Sequence, residues 1–339
     1  MIRFSQGVYL LRSLLGVVAL LVFLASIVSW RGGLGNAPAG RESGQDADVA
    51  QGLSLEPNAL ASPPSNVESP APPPSNVEPS VSPPAKLIVI DPGHGGPNEV
   101  GSACYDTNGV ARLAEKDSNL DMAWRVGPLL EARGYRVVLT REGDTRAGGL
   151  PNGSGLRGYS ATRADLQARV DRANALKADL FISLHSNGST DRRQSGVEVW
   201  YSQDRPFGDE SRRLAQLIQA DVLAELSAYG YQAEDRGTKD DACFRVYGGR
   251  CYHLFVLGPE REIRRGDPLP PGRSPDDYGL REGVEVIRTR ATQMPAVLTE
   301  LLFLTNAADA AVLTDEAGRD AIAQGIARAV ETYFAEGGP

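Results

Sequence analysis

Short apolar runs alternate with amphipathic helical segments from Lys86 onward, and this alternation constrains the fold more than any other feature of the sequence. Each apolar run suits one buried strand, and each helical segment repeats its apolar residues every three to four positions. The predicted strands are Leu87–Asp91, Tyr135–Thr140, Asp179–Leu184, Gly196–Tyr201 and Ala296–Leu304. The predicted helices are Asp117–Arg133, Ala161–Lys177, Glu210–Ser227 and Glu316–Phe334. This order predicts a single α/β domain with a mostly parallel central sheet and helices on both faces.

The amino-terminal residues have the pattern of a membrane-targeting segment. Residues 14–28 are uncharged and almost wholly apolar, and Arg3 and Arg12 precede them. Positive charge before such a run predicts that the amino end stays inside while the rest of the chain crosses the membrane. We therefore expect residues 1–35 to be a cleaved signal peptide or an uncleaved membrane anchor.

Residues 36–85 have the composition of a linker. They contain many Pro, Ser, Ala and Asn residues, and the hexapeptide PPSNVE occurs at Pro63–Glu68 and again at Pro73–Glu78. Such a segment cannot bury a core and favours extended conformations, so we predict a disordered Pro/Ser-rich spacer before a folded domain at residues 86–339.

The net charge of the whole chain is −8, which makes nucleic acid an unsuitable partner, because nucleic-acid binding needs a cationic surface.

Two of the three histidines follow predicted strands at the same edge of the sheet. His94 comes three residues after Leu87–Asp91, and His185 directly follows Asp179–Leu184. Ligands of such sheets bind at the carboxyl ends of the strands. Two imidazoles and one carboxylate make a catalytic zinc site, and Glu115 is the candidate carboxylate. The alternative is that one histidine caps a loop and the other is incidental.

Glu300 is the second unusual residue, because it lies inside the apolar run Ala296–Leu304. Burying an ionised carboxylate without a partner is costly, so Glu300 should bind its proton more tightly or face a metal ion. A carboxylate beside a zinc-bound water can accept its proton and pass it to a leaving nitrogen. The alternative is an ion pair with Arg141 or Arg290.

The chain from about Lys86 to about Glu336 resembles the zinc-dependent N-acetylmuramoyl-L-alanine amidases, which are bacterial cell-wall hydrolases with a type-3 catalytic domain. The matching stretches, in order, are IVIDPGHGG (Ile88–Gly96), EKDSNLDMA (Glu115–Ala123), VVLTREGD (Val137–Asp144), LQARVDRANALKADLFISLHSN (Leu166–Asn187) and MPAVLTELLFLTN (Met294–Asn306). Asp235–Lys239 also looks like the family's Arg-Gly-x-Lys segment. One block is moderately specific, whereas five blocks in order are highly specific.

The resemblance implies hydrolysis of the amide between N-acetylmuramic acid and L-alanine in peptidoglycan. It implies one zinc ion held by His94, Glu115 and His185, with Glu300 as general base and acid on a zinc-bound water. It further implies an extracytoplasmic enzyme of the cell envelope. We expect a monomer whose partner is peptidoglycan, and which contacts the membrane only if the amino-terminal segment is uncleaved.

Three departures from the family pattern bear on the site. The loop 97–114 is longer than expected, and it contains two rival ligands, Glu99 and Asp106. Leu302 stands where the family usually has glycine. The segment 240–293 is an insertion, and long insertions near a site often form lids or binding loops.

Two further residues are candidate substrate contacts. Asn187 could contact substrate, although an Asn before a Gly is most often a turn residue. His253 in the insertion could contact substrate or a metal, and the alternative is an ordinary loop or core histidine.

The spacing of Cys243 and Cys251 suits a disulfide across a hairpin, with Cys104 left over as a free thiol or an outlying zinc neighbour. The alternative is three buried thiols.

Two other functions stay open at this point. One is a metallohydrolase of another specificity, such as a zinc carboxypeptidase or a deacetylase, although those families order their ligands differently along the chain. The other is a catalytically inactive domain that binds the cell wall. The presence of Glu300 together with all three candidate ligands argues against an inactive domain.

Overall fold

The computed structural model describes residues 85–339, except for residues 98, 149–157, 248 and 271. The predicted amino-terminal segment, 1–35, and all of the predicted linker up to Pro84 lie outside the described residues. Within the described ranges, no helix combines the length and the apolar composition that crossing a membrane requires.

The strands of the described residues form one central sheet and three hairpins. Numbered in chain order, they are β1 (Leu87–Pro92), β2 (Ala103–Tyr105), β3 (Ala111–Ala114), β4 (Arg136–Leu139), β5 (Leu180–Asn187), β6 (Val197–Tyr201), β7 (Asp235–Asp240), β8 (Arg245–Tyr247), β9 (Arg250–Tyr252), β10 (Arg261–Arg264), β11 (Val286–Thr289) and β12 (Ala296–Phe303). The central sheet has the order β4-β1-β5-β12-β6-β7. Only its β12–β6 pair is antiparallel. The predicted α/β fold with a mostly parallel sheet is confirmed.

Helices cover both faces of this sheet because the side chains of each strand alternate between the faces. The helices of the described residues are α1 (Glu115–Glu131), α2 (Gly158–Leu176), α3 (Gly208–Tyr229), α4 (Ala307–Thr314) and α5 (Glu316–Ala335). Ile88 and Ile90 of β1 join a buried cluster with α1, α3 and α5. Val89 of the same strand joins a second cluster with α2 and with Val256 and Leu257 of the insertion.

Some predicted boundaries differ from the observed ones near the candidate site. β5 does not end at Leu184 but continues through His185 to Asn187, so His185 lies within a strand. Pairing with β12 explains this extension, since Glu300 is the register partner of His185 and Phe303 that of Asn187. Main-chain pairing with a neighbouring strand therefore outweighs the polar character of these side chains.

Both predicted insertions contain hairpins. Residues 97–114 include the antiparallel β2–β3 pair, and 240–293 includes the β8–β9 and β10–β11 pairs with a short 3₁₀ turn at Pro275–Tyr278. Cys243 and Cys251 form a disulfide that closes the β8–β9 hairpin, while Cys104 is a partly buried free thiol. The predicted disulfide is confirmed, and the alternative of three buried thiols is wrong.

Candidate metal centre and catalytic cleft

The three predicted metal ligands converge at the carboxyl edge of the sheet. His94 lies in the loop after β1, Glu115 begins α1, and His185 lies in β5. Glu115 Oε1 is 3.0 Å from His94 Nε2 and 2.9 Å from His185 Nδ1. One potential ligand atom from each residue lies within 4.8 Å of the others. Two imidazoles and a carboxylate at this spacing could hold one metal ion.

The loop after β1 approaches β5 more closely than most residues would allow. A Cβ atom at position 93 would lie 2.1 Å from His185 Nε2, so Gly93 is required there. His94 has a φ of 61°, in the left-handed region that non-glycine residues rarely adopt. Such a conformation costs roughly 1–3 kcal/mol and persists only where the surrounding structure holds it.

Arg169 of α2 holds this loop in place. Its guanidinium donates hydrogen bonds to the carbonyl oxygens of Pro92, at 2.8 Å, and His94, at 2.6 Å. It also donates to the carboxylates of Asp91, at 2.8 Å, and Asp165, at 2.9 and 3.0 Å. All three charged side chains are buried. The carbonyl contacts make Arg169 a positioning residue for His94, a role that the sequence analysis missed.

The surroundings of Glu115 and His185 shift the pKa values of both side chains towards the protonation states that bind metal ions. Burial acts to raise the pKa of Glu115, but the charge of His94 and hydrogen bonds from both histidines outweigh it, so the pKa lies far below its usual range. Burial lowers the pKa of His185, which favours the neutral imidazole. Ionised carboxylate and neutral imidazole are the forms that bind metal ions. The second Glu115 oxygen accepts a hydrogen bond from the Ser102 amide at 2.7 Å.

Glu300 lies on β12 beside this group. It is the register partner of His185 on β5 and of Glu198 on β6. Its Oε2 atom is buried and accepts no hydrogen bond from the described residues. Burial, followed by the neighbouring charges of Glu115 and Glu198, raises the pKa of Glu300 well above its usual value, and Lys239 only partly opposes this. The Glu300 carboxylate is therefore a stronger base than the carboxylate of an exposed glutamate.

The proposed arginine partners of Glu300 are engaged elsewhere. Arg141 donates to the main-chain oxygens of Gly93 and Lys116, and Arg290 pairs with Asp171. The alternative reading of Glu300 as half of an ion pair with either arginine is therefore wrong.

Glu99 and Asp106 do not join the three-residue group. Glu99 accepts a hydrogen bond from Thr162 and lies 3.6 Å from Arg146. Asp106 accepts main-chain hydrogen bonds in the turn of the β2–β3 hairpin. Among the described residues, only His94, Glu115 and His185 form a group of His, Cys, Asp or Glu side chains with metal-binding spacing.

The two candidate substrate contacts are placed differently. Asn187 lies at the end of β5 and donates to Glu198 at 3.2 Å. His253 is largely buried, with its Nδ1 atom 2.9 Å from Asp241 and its Nε2 atom 3.8 Å from Asp204. Substrate contact stays a prediction for both residues.

A pocket of about 160 Å³ lies beside the two histidine ligands. Its apolar wall includes Leu254, Phe255 and Val256 from the 240–293 insertion, together with Leu166 of α2. The insertion therefore lines one side of the candidate cleft, as long insertions near a site often do.

The comparisons with known proteins identify the family. The family model described as "N-acetylmuramoyl-L-alanine amidase" matches residues 88–332. The chain is 28% identical over 256 residues to the germination-specific N-acetylmuramoyl-L-alanine amidase of Bacillus subtilis, covering 75% of this chain and 81% of that protein. It is 30% identical over 250 residues to the N-acetylmuramoyl-L-alanine amidase LytC of the same organism, covering 74% of this chain and 36% of that one.

A solved structure shares the fold. The CwlD amidase from Clostridioides difficile, in complex with the GerS lipoprotein, gives a TM-score of 0.52 at 22% identity, covering 74% of this chain and 99% of that chain. The match of the family model to most of the folded domain carries the assignment. The chain belongs to the N-acetylmuramoyl-L-alanine amidase family.

Proposed function

We propose that this protein hydrolyses the amide bond between N-acetylmuramic acid and L-alanine in peptidoglycan, using one zinc ion held by His94, Glu115 and His185. One observation carries the proposal: three convergent ligand atoms lie beside Glu300, a carboxylate whose buried oxygen accepts no hydrogen bond from the described residues. The family assignment supports the choice of substrate.

The side chains fit zinc in a catalytic rather than a purely structural role. Structural zinc sites have four protein ligands, whereas catalytic sites have three and keep one position open. When bound, zinc acts as a Lewis acid that polarises a carbonyl group and lowers the pKa of water. The protein itself supplies the ligand orientation, through Gly93 and the strained His94 backbone.

Glu300 is the candidate proton carrier. Burial and the charges of Glu115 and Glu198 raise the pKa of its carboxyl group, which makes it a stronger proton acceptor than an exposed glutamate. In the reaction, the ionised carboxylate accepts a proton from the attacking water. The resulting carboxylic acid then donates that proton to the nitrogen of the leaving L-alanine, which completes cleavage of the amide.

The protein is proposed to act outside the cytoplasmic membrane. The Cys243–Cys251 disulfide supports this location, because disulfides persist in oxidising compartments. Residues 1–35 would direct the export and, if uncleaved, anchor the protein. We propose a monomer as the active form.

Digestion of purified peptidoglycan by the zinc-loaded protein tests the function. Mass spectrometry should find free stem peptides that begin with L-alanine, together with glycan chains that keep their muramic acid. Glu300→Gln should retain zinc but lower turnover by at least ~10²-fold, the lower end of what general acid–base catalysis supplies. Glu331→Gln is a matched control, because Glu331 is exposed and pairs with Arg133 on the surface. Release of peptides with another amino terminus, or wild-type turnover by Glu300→Gln, would contradict the proposal.

A further inference from the structure

A row of functional side chains crosses the sheet from the candidate metal ligands towards β7. His185 on β5, Glu300 on β12 and Glu198 on β6 are successive register partners. Directly paired residues project from the same face of a sheet. Since neighbouring strands lie about 4.8 Å apart, Glu198 lies roughly 10 Å from His185.

Two cations surround Glu198 at the end of this row. Arg236 Nε donates to Glu198 at 2.7 Å, and Lys239 Nζ donates to the same oxygen. The other Glu198 oxygen accepts hydrogen bonds from Asn187 and Trp200, each at 3.2 Å. The Glu198 side chain is 6% exposed, whereas those of Arg236 and Lys239 are 20% and 30% exposed. One buried carboxylate thus faces two partly accessible cations.

Two cations and one carboxylate leave a net positive charge at this end of the row. The other acidic residues nearby do not pair with Lys239. Glu234 lies 3.9 Å from Arg236, and its side chain is 58% exposed. Asp235 accepts from Gln219, and Asp240 accepts from the main-chain amides of Gln203 and Ala242. The Lys239 ammonium also lies 5.3 Å from the centre of the Trp200 ring, which holds it in position.

The proposed function determines on which side of the metal ligands the leaving peptide lies. Glu300 donates a proton to the leaving nitrogen, so the departing peptide must lie on the Glu300 side of the metal ligands. The pocket lined by His94 and Phe255 lies beside the two histidine ligands and leaves room for the acyl part of the substrate. The stem peptide should therefore extend from Glu300 across β6 towards Lys239.

We propose that Lys239 and Arg236 form a subsite for a carboxylate on the second residue of the stem peptide. An extended chain spans about 3.3–3.6 Å per residue, so two residues beyond the scissile amide cover about 7 Å. A side-chain or main-chain carboxylate then reaches the cations at the end of the row. Because the subsite deepens the proposed function, it rests on that function.

Two synthetic muramyl tetrapeptides test the subsite. They differ only in having a free carboxylate or a carboxamide on the second residue. The zinc-loaded wild-type protein should have a kcat/KM about tenfold higher for the carboxylate, which corresponds to about 1.4 kcal/mol. Lys239→Met and Arg236→Met should reduce this preference towards one, and Lys239→Arg should retain most of it.

The control is Arg264→Met, because Arg264 pairs with Glu262 on the exposed β10–β11 hairpin and should leave the preference at its wild-type value. Zinc content and circular dichroism should be equal in all variants, so that a loss of folding is recognised. Equal kcat/KM for the two substrates in the wild type, or an unchanged preference in Lys239→Met, would overturn the subsite.

Binding of the product peptides separates failure of the subsite from failure of the proposed function. Calorimetry should show that the free tetrapeptide with the carboxylate binds the wild type more tightly than the carboxamide form does, and that Lys239→Met abolishes the difference. If neither muramyl substrate is hydrolysed, the proposed function fails. Equal binding of the two product peptides would then refute the subsite as well.

Discussion

Replacing Arg169 by Met should strongly destabilise the protein, because its buried guanidinium is shared by two carboxylates and by the loop that carries His94. The Arg169 side chain is 1% exposed and donates to two buried carboxylates and to the carbonyl oxygens of Pro92 and His94. Its removal leaves Asp91 and Asp165 without their cation. Breaking a buried ion pair from one side costs about 3–5 kcal/mol, so the free energy of unfolding should fall by that amount at pH 7.

The cost should depend on pH in a defined direction. Burial acts to raise the pKa of Asp91, but the charge of Arg169 and hydrogen bonds from Thr140 and Ser183 outweigh it, so the folded-state pKa is lowered. The ionised carboxylate therefore contributes stability above its unfolded pKa of about 3.9, and this contribution is lost as the pH falls through the lower folded value. Without Arg169, Asp91 can take up a proton more readily. The difference between wild type and variant should thus be largest at neutral pH and shrink in acid.

Urea denaturation at pH 7 and pH 4 measures this difference. The matched control is Arg193→Met, because the Arg193 side chain is 90% exposed and pairs with Asp191 on the surface. It should change the free energy of unfolding by less than about 1 kcal/mol. A loss below 1 kcal/mol for Arg169→Met at pH 7 would show that the buried network does not hold the His94 loop.

Two further stability predictions concern the insertion and β12. Reduction of the Cys243–Cys251 disulfide should lower the free energy of unfolding by ~2–3 kcal/mol, because the unfolded chain then has a larger entropy. Mass spectrometry of unreduced peptides should find the two cysteines linked. Free thiols at both positions in the oxidised protein would contradict the disulfide. Leu302 is buried with a φ of 67°, so Leu302→Ala should cost about 2–5 kcal/mol for the lost packing. Leu302→Gly should be no less stable than Leu302→Ala in thermal unfolding, because glycine adopts this φ freely. If Leu302→Ala proves more stable than Leu302→Gly, the backbone at position 302 is not strained.

The hydrophobic pattern was sufficient for the α/β class and for five of the six strands of the central sheet, because buried strands and amphipathic helices differ in their apolar period. It could not predict β7, because the residues Asp235–Asp240 are almost all polar. The same pattern led to the candidate ligands, since His94 and His185 follow apolar runs at the same sheet edge. The antiparallel direction of β6 could not be predicted, because the alternation in Val197–Tyr201 is the same for either direction. The extent of β5 beyond Leu184 depends on pairing with β12, which is a contact between distant parts of the chain.

The supporting charges of the site were the hardest to predict. Arg169 and Asp165 are four residues apart on α2, a spacing that is typical of an exposed ion pair on a helix. They are buried only because α2 packs its charged side chains against the loop after β1. Glu198 occupies an alternating position of a strand and looks like an ordinary solvent-facing residue. Its relation to Glu300 becomes visible only in the register between β6 and β12.

Anomalous X-ray diffraction at the zinc absorption edge tests the central claim most directly. Crystals of the zinc-loaded protein should show one anomalous peak per chain, bounded by His94, Glu115 and His185, with Glu300 nearby but not among the primary ligands. The peak should disappear in His185→Ala. A peak at another group of side chains, or full zinc occupancy of this site in His185→Ala, would contradict the assignment of the metal centre.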